Sequence, residues 1–151
     1  VEKAVVIFVD DPALGPVIAK AAGYVINDRT DHTLARVVNG ELVGGVVFEG
    51  WNGRSMAMHC AGLKPNWLNR NLLAMAFDYP FRQLLCSKVF LQVSSGNPKA
   101  LEFVLNLGFK EVARLEDAFV DGDCIIVEMK RDVCRWLNLK PKLIIKGTDH
   151  G

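Results

Sequence analysis

The sequence predicts a mixed α/β domain. Three observations carry this: an apolar, largely β-branched run at residues 4–9, a hairpin signal at Asn39-Gly40 between two strand-period runs, and a change to helical period after Gly62 that returns to a strand at Lys88. Together they order the chain as strand, helix, three-strand meander, helix, strand, helix and two strands.

Each element has a local cause. Residues 4–9 suit a strand covered on both faces. Asp11-Pro12 sets a helix start, and a short apolar helix over residues 16–22 stops at Gly23. Residues 24–32 are polar and without period, as in a surface loop. Residues 33–38 and 41–49 flank Asn39-Gly40, and both central residues tolerate positive φ, so the turn reads as type I′. Trp51-Asn52-Gly53 leads into a third strand over residues 54–61, and Gly44-Gly45 marks a bulge or a close backbone approach. Leu68, Leu72, Met75, Ala76, Tyr79 and Leu84 then recur at helical spacing, which predicts a helix over residues 67–85, bent at Pro80. Residues 88–93 form a strand. Asn97 caps a helix that Pro98 opens and Gly108 closes. Two last strands, residues 110–115 and 119–130, turn about Asp121-Gly122. The domain spans residues 1–138. A tail, residues 139–151, carries Lys140, Lys142 and Lys146 around Leu143-Ile144-Ile145, and the pattern assigns it no place.

Composition limits the function. The chain has 151 residues, 50% of them hydrophobic and 23% charged. A domain of that length buries roughly 70% of its unfolded surface, enough for a core without staples. Eighteen basic residues against seventeen acidic ones leave a net charge of +1, which argues against a protein built to neutralise phosphates, so no nucleic-acid partner is expected. The apolar run at residues 4–9 is too short for a signal peptide or a membrane span; the expectation is a cytoplasmic protein with no membrane partner. Cys60, Cys86, Cys124 and Cys134 form no C-x-x-C pair and read as reduced thiols. His32, His59 and His150 lack ligand spacing, so no metal is expected.

One segment narrows the reading. Val93, Asn97, Ala100, Phe103 and Gly108-Phe109 stand in the spacing V-x-x-x-N-x-x-A-x-x-F-x-x-x-x-G-F. This resembles the signature of the GNAT superfamily of N-acetyltransferases, and the resemblance covers residues 36–136. With Arg135-Trp136 closing the last hairpin, it is most similar to the ribosomal-protein N-terminal acetyltransferase branch. The resemblance implies acetyl-coenzyme A as cosubstrate and an acceptor that is an amine-bearing small molecule, peptide or protein, with a homodimer possible. It places Asn97 beside the pantetheine arm and thiol.

Two positions depart from the family pattern. The family's pyrophosphate loop, Q/R-x-x-G-x-G/A, falls on Pro65-Asn66-Trp67-Leu68-Asn69-Arg70-Asn71, which holds no glycine. The resemblance assigns cofactor contact to Trp67, Leu68, Asn69, Arg70 and Asn71, with Arg70 adding positive charge to amides at a helix start. Seven residues after Asn97, where many members carry a tyrosine acid, stands Val104. These departures keep a second reading open, a catalytically degenerate module of the same fold that binds coenzyme A or a protein partner.

Acetyl transfer to an amine needs a base, because an ammonium is not a nucleophile. His59 is the one histidine on a predicted strand, and its ordinary pKa of about 6.5 suits the role. Glu49, at the end of the neighbouring strand, is the second candidate. Acceptor choice is expected from residues 27–32, the Trp51-Asn52-Gly53 turn and residues 117–123. Their Asp28, Asp31, Asp117, Asp121 and Asp123 outnumber Arg29 and favour a cationic amine.

Overall fold

The computed structural model describes residues 5–141 and 145–147; Lys142, Leu143 and Ile144 of the tail lie outside them. Among the described residues eight strands make one sheet: β1 (Val5–Val9), β2 (His32–Val38), β3 (Glu41–Glu49), β4 (Ser55–Gly62), β5 (Lys88–Ser94), β6 (Lys110–Phe119), β7 (Gly122–Lys130) and β8 (Ile145–Gly147). The helices are α1 (Leu14–Ala21), α2 (Arg70–Asp78) and α3 (Pro98–Leu107). The spatial order is β6-β7-β5-β4-β3-β2-β1-β8. This is the mixed α/β order that the sequence predicts, with β8 added from the tail as an edge strand parallel to β1.

Local chemistry accounts for the boundaries. Asn39 and Gly40 both have positive φ, 51° and 79°, which is the type I′ geometry that brings β2 and β3 together. Asp11 accepts hydrogen bonds from the amides of Ala13 and Leu14, both at 2.8 Å, and so starts α1. Asn97 caps α3 by accepting from the Ala100 amide at 3.2 Å, and Gly108 ends that helix with φ 112°. The Gly44-Gly45 signal also has a counterpart, since the β2–β3 register slips between Arg36 and Val37, opposite this segment.

The second helix is shorter than its hydrophobic period suggests. Asn69 is its N-cap, accepting from the Leu72 amide at 2.8 Å, so Trp67 and Leu68 belong to the preceding loop. Arg36 fixes that loop by donating to the carbonyls of Asn66 and Trp67, at 3.0 and 3.1 Å, and Asn66 turns with φ 61°. Beyond Asp78 the helix widens into a single π-turn, Tyr79–Gln83, around Pro80, whose missing N–H cannot continue the α ladder. At the other edge β6 runs to Phe119, past Leu115, where its register with β7 shifts and Asp117 takes φ 52°.

The core has two parts, one on each face of the sheet. Phe48, Met56, Met58, Leu72, Phe77, Phe81, Val89, Ile125 and Val127 pack under α2 and α3. A smaller cluster of Ile18, Ala19, Ala35, Val47 and Ala61 packs under α1. Burying each large aliphatic or aromatic side chain of this kind contributes about 1.5–3 kcal/mol. Side chains alternate along a strand, so the same β4 that sends Met56 and Met58 to the α2 face sends Ala57 and Ala61 to the α1 face. His59 shares the α1 side.

Candidate active site

β4 and β5 run parallel but pair over only three positions, Ser55 with Lys88, Met56 with Val89 and Ala57 with Phe90. Past Ala57 they part. Each keeps its outer partner, β3 for β4 and β7 for β5, so the facing edges of residues 58–62 and 91–94 bound an open wedge. His59 stands on the rim of this wedge. Glu49 lies diagonally opposite on β3, because Glu49 pairs with Ala57 and Val47 with His59.

The two predicted base candidates therefore come together, with His59 Nε2 3.7 Å from Glu49 Oε1. That gap exceeds a hydrogen bond, and Nε2 is buried without a partner among the described residues. Tyr24 and Asp31, from the polar segment between α1 and β2, complete the cluster. Tyr24 stacks on the His59 ring, with centroids 4.4 Å apart and planes 22° from parallel. Its hydroxyl donates to Asp31 Oδ2 at 2.7 Å and lies 3.2 Å from Glu49 Oε2. Asp31, only 9% exposed, also accepts from the Asn27 amide at 2.7 Å and from the Thr30 hydroxyl at 3.2 Å. Burial pushes His59 below its ordinary imidazole value, while the charges of Glu49 and Asp31 pull the other way. Tyr24 is raised well above the usual phenol range by burial first, then by its bond to Asp31. No sequence pattern marks this tyrosine, because its partners stand 7, 25 and 35 positions away along the chain.

The positions assigned to the cofactor fall in three places. Trp67 and Leu68 pack on the large core, and the Trp67 indole meets Phe103 of α3 with centroids 5.9 Å apart. The loop after β4 thus touches the helix after β5. Asn69, Arg70 and Asn71 line a cavity of about 530 Å³ whose other walls are Val5, Ile7, Leu139 and Lys140. Asn97 caps α3 beyond the end of β5, at the same end of the sheet where β4 finishes. Asn97 and residues 69–71 do not share that cavity. Val104 is buried in the core at 3% exposure.

Of the three segments expected to shape acceptor choice, residues 27–32 reach the His59 cluster through Asp31. The Trp51-Asn52-Gly53 turn lies at the closed end of the wedge, where Ser55 still pairs with Lys88. In the β6–β7 hairpin Asp121 accepts from the Ser94 hydroxyl at 2.6 Å, and the Asp123 amide donates to Ser95 Oγ at 2.8 Å. Those aspartates brace the turn after β5.

All four cysteines are free, and burial raises each thiol, Cys60 to about 12. Cys60 neighbours His59 in sequence but packs on the α2 side of the sheet. Among the described residues no helix is long and apolar enough to cross a membrane.

The fold as a whole is similar to that of N-acetyltransferases of known structure. The dodecameric spermidine N-acetyltransferase from Vibrio cholerae aligns with a TM-score of 0.62 at 24% identity, over 74% of this chain and 70% of that one. A chimera of the Vibrio cholerae spermidine N-acetyltransferase SpeG with hSSAT gives 0.61 at 23% identity, over 83% and 80%. The Campylobacter jejuni N-acetyltransferase PseH gives 0.53 at 19%, over 68% and 69%. No protein-family model matches the sequence, and no curated protein matches it.

Proposed function

We propose that the chain is an acetyl-coenzyme A-dependent N-acetyltransferase that moves an acetyl group to a primary amine by direct attack. The observation that carries this reading is an imidazole with a carboxylate at 3.7 Å, on the rim of a wedge opened between two parallel strands. The wedge suits the cosubstrate's arm. Strand edges carry unsatisfied N–H and C=O groups, and an extended arm with amides of its own can bond to them as a strand would. The diphosphate end is built differently from the glycine loop of the family. Its candidates are the first-turn amides of α2 with Arg70, a residue of the 530 Å³ cavity.

Acetyl-coenzyme A supplies the acetyl thioester. The chain's own residues do the rest. His59 takes the proton from the attacking amine, directly or through a water, and its lowered pKa keeps it neutral and receptive at neutral pH. Glu49 lies close enough to stabilise the imidazolium that results. Backbone amides beside β4 offer donors to the developing oxyanion. A thiolate is a stable leaving group near its ordinary pKa of about 8.5, so a valine at position 104 is compatible with transfer. None of the thiols serves as a nucleophile, since burial keeps them protonated, which favours a ternary complex over an acetyl-cysteine intermediate. We assign the acceptor to cationic amines, because Glu49 and the buried Asp31 place negative charge beside His59.

Two measurements test the reading. Acetyl-coenzyme A at 100 times its dissociation constant should stabilise the chain by about 2.7 kcal/mol in thermal unfolding. His59→Gln should lower kcat/KM for a cationic amine by about 100-fold or more without losing that stabilisation. Stabilisation without acetyl transfer by the parent chain would instead establish a coenzyme A-binding module. No stabilisation at millimolar ligand would remove both.

A further inference from the structure

The Tyr24 hydroxyl has one proton and two carboxylates within reach. Asp31 is the fixed partner, held by the Asn27 amide and the Thr30 hydroxyl, and its 2.7 Å contact is that of a strong O–H···O⁻ bond. Glu49 Oε2 lies at 3.2 Å from the same oxygen, and Glu49 Oε1 faces His59 Nε2 across 3.7 Å. A flexible carboxylate beside an imidazole would ordinarily close to hydrogen-bond distance. Here it stops short, and the buried Nε2 has no partner among the described residues. We propose that Tyr24 is a positioning residue: tied to Asp31, its hydroxyl holds the Glu49 carboxylate beside His59 without letting the two close into an ion pair, so the imidazole is not already paired as an imidazolium when the acceptor amine arrives.

This rests on His59 as the base of the proposed reaction, and it adds a residue that neither touches the reacting atoms nor titrates near neutral pH. The titratable groups facing the His59 ring are Tyr24 from the segment after α1, Asp31 from the loop before β2 and Glu49 at the end of β3. Stacking gives Tyr24 a second hold on the ring, which Phe would keep. Removing only the hydroxyl therefore separates the two effects. With the phenol proton gone, Glu49 can swing onto His59, and both carboxylates act on the ring unrelieved.

The test follows the His59 ring signals of the full chain by NMR against pH, without substrate, with the signals identified by their absence in His59→Gln. Tyr24→Phe should move the His59 midpoint upward by about one pH unit. Asp31→Asn should move it downward, since it removes one anion and leaves the phenol proton to Glu49. The acid limb of kcat/KM should follow the Tyr24→Phe shift while the KM for acetyl-coenzyme A stays unchanged. A His59 midpoint that is the same in Tyr24→Phe and the parent overturns the proposal, whether or not acetyl transfer occurs. A midpoint that moves while the acid limb stays put overturns it as well. Loss of all transfer in the parent chain, with the NMR shift intact, would remove the catalytic reading and leave the hold on Glu49 established.

Discussion

Trp67 lies on Gly44. A methyl group at Gly44 would stand 2.6 Å from Cε3 of the indole, and one at Gly62, paired with Gly44 on the next strand, would overlap the indole nitrogen. The pairing continues to Arg36 on β2, whose guanidinium donates to the carbonyls of Asn66 and Trp67. A row of Arg36, Gly44 and Gly62 across three strands therefore seats the loop that the sequence resemblance assigns to the cofactor.

Gly62→Ala should then destabilise the fold by about 1–3 kcal/mol, the cost of overpacking a fitted contact. The three nearest atoms at Gly62 all belong to Trp67, so Trp67→Ala in the same chain should remove most of that cost. Gly44→Ala should stay costly in both backgrounds, because the Ala61 carbonyl also lies within 2.7 Å of the added methyl. Urea unfolding of the two double-mutant cycles decides it, and additive effects at Gly62 would show that the indole is not seated there.

Much of this was legible along the chain. Asn39-Gly40, Asn97-Pro98 and Gly108 are local signals, and each produced the turn or cap that its chemistry demands. His59 and Glu49 could be paired because adjoining antiparallel strands bring residues into a known register. What stayed hidden depends on contacts between distant segments. The period from Leu68 onward suggested helix, yet Arg36, some thirty positions earlier, takes the carbonyls of Asn66 and Trp67, and Asn69 caps the helix late. Tyr24 reads as one polar residue in a loop until the sheet places His59 under its ring.

Arg36 gives a second prediction. Its one Nη1 atom serves two carbonyls in a half-buried place, and hydrogen bonds from a charged donor are each worth about 1.5–3 kcal/mol. Arg36→Met should lower the urea midpoint at unchanged m, and Arg36→Lys should lower it less, since an ammonium still offers a charged donor to a carbonyl. Equal midpoints for Met and the parent would mean that water replaces the guanidinium without loss.

His59 makes stability depend on pH in a stated direction. Burial lowers its pKa in the folded chain, whereas the unfolded chain keeps the ordinary value near 6.5. As pH falls, the unfolded state binds the proton first, so stability is full above about pH 7 and declines below 6.5 until the folded imidazole is protonated too. His59→Gln removes this step. The unfolding free energy of the parent minus that of His59→Gln should be constant above neutrality and fall on acidification through the window below 6.5. A difference that rises on acidification would mean that the pull of Glu49 and Asp31 outweighs burial.

Arg70 opens α2 and faces the 530 Å³ cavity together with Asn71 and Lys140, so a diphosphate there would meet a cation as well as helix amides. Arg70 is exposed, and exposed charges are screened over about 10 Å at 0.1 M salt. Arg70→Ala should therefore weaken acetyl-coenzyme A binding more at low salt than at high salt. Asn97→Ala should behave differently, costing about 1 kcal/mol of stability from the lost cap and showing no salt dependence in its effect on affinity. Titration calorimetry across a salt series reads both. Equal affinity of Arg70→Ala and the parent at every salt concentration would place the diphosphate away from the start of α2.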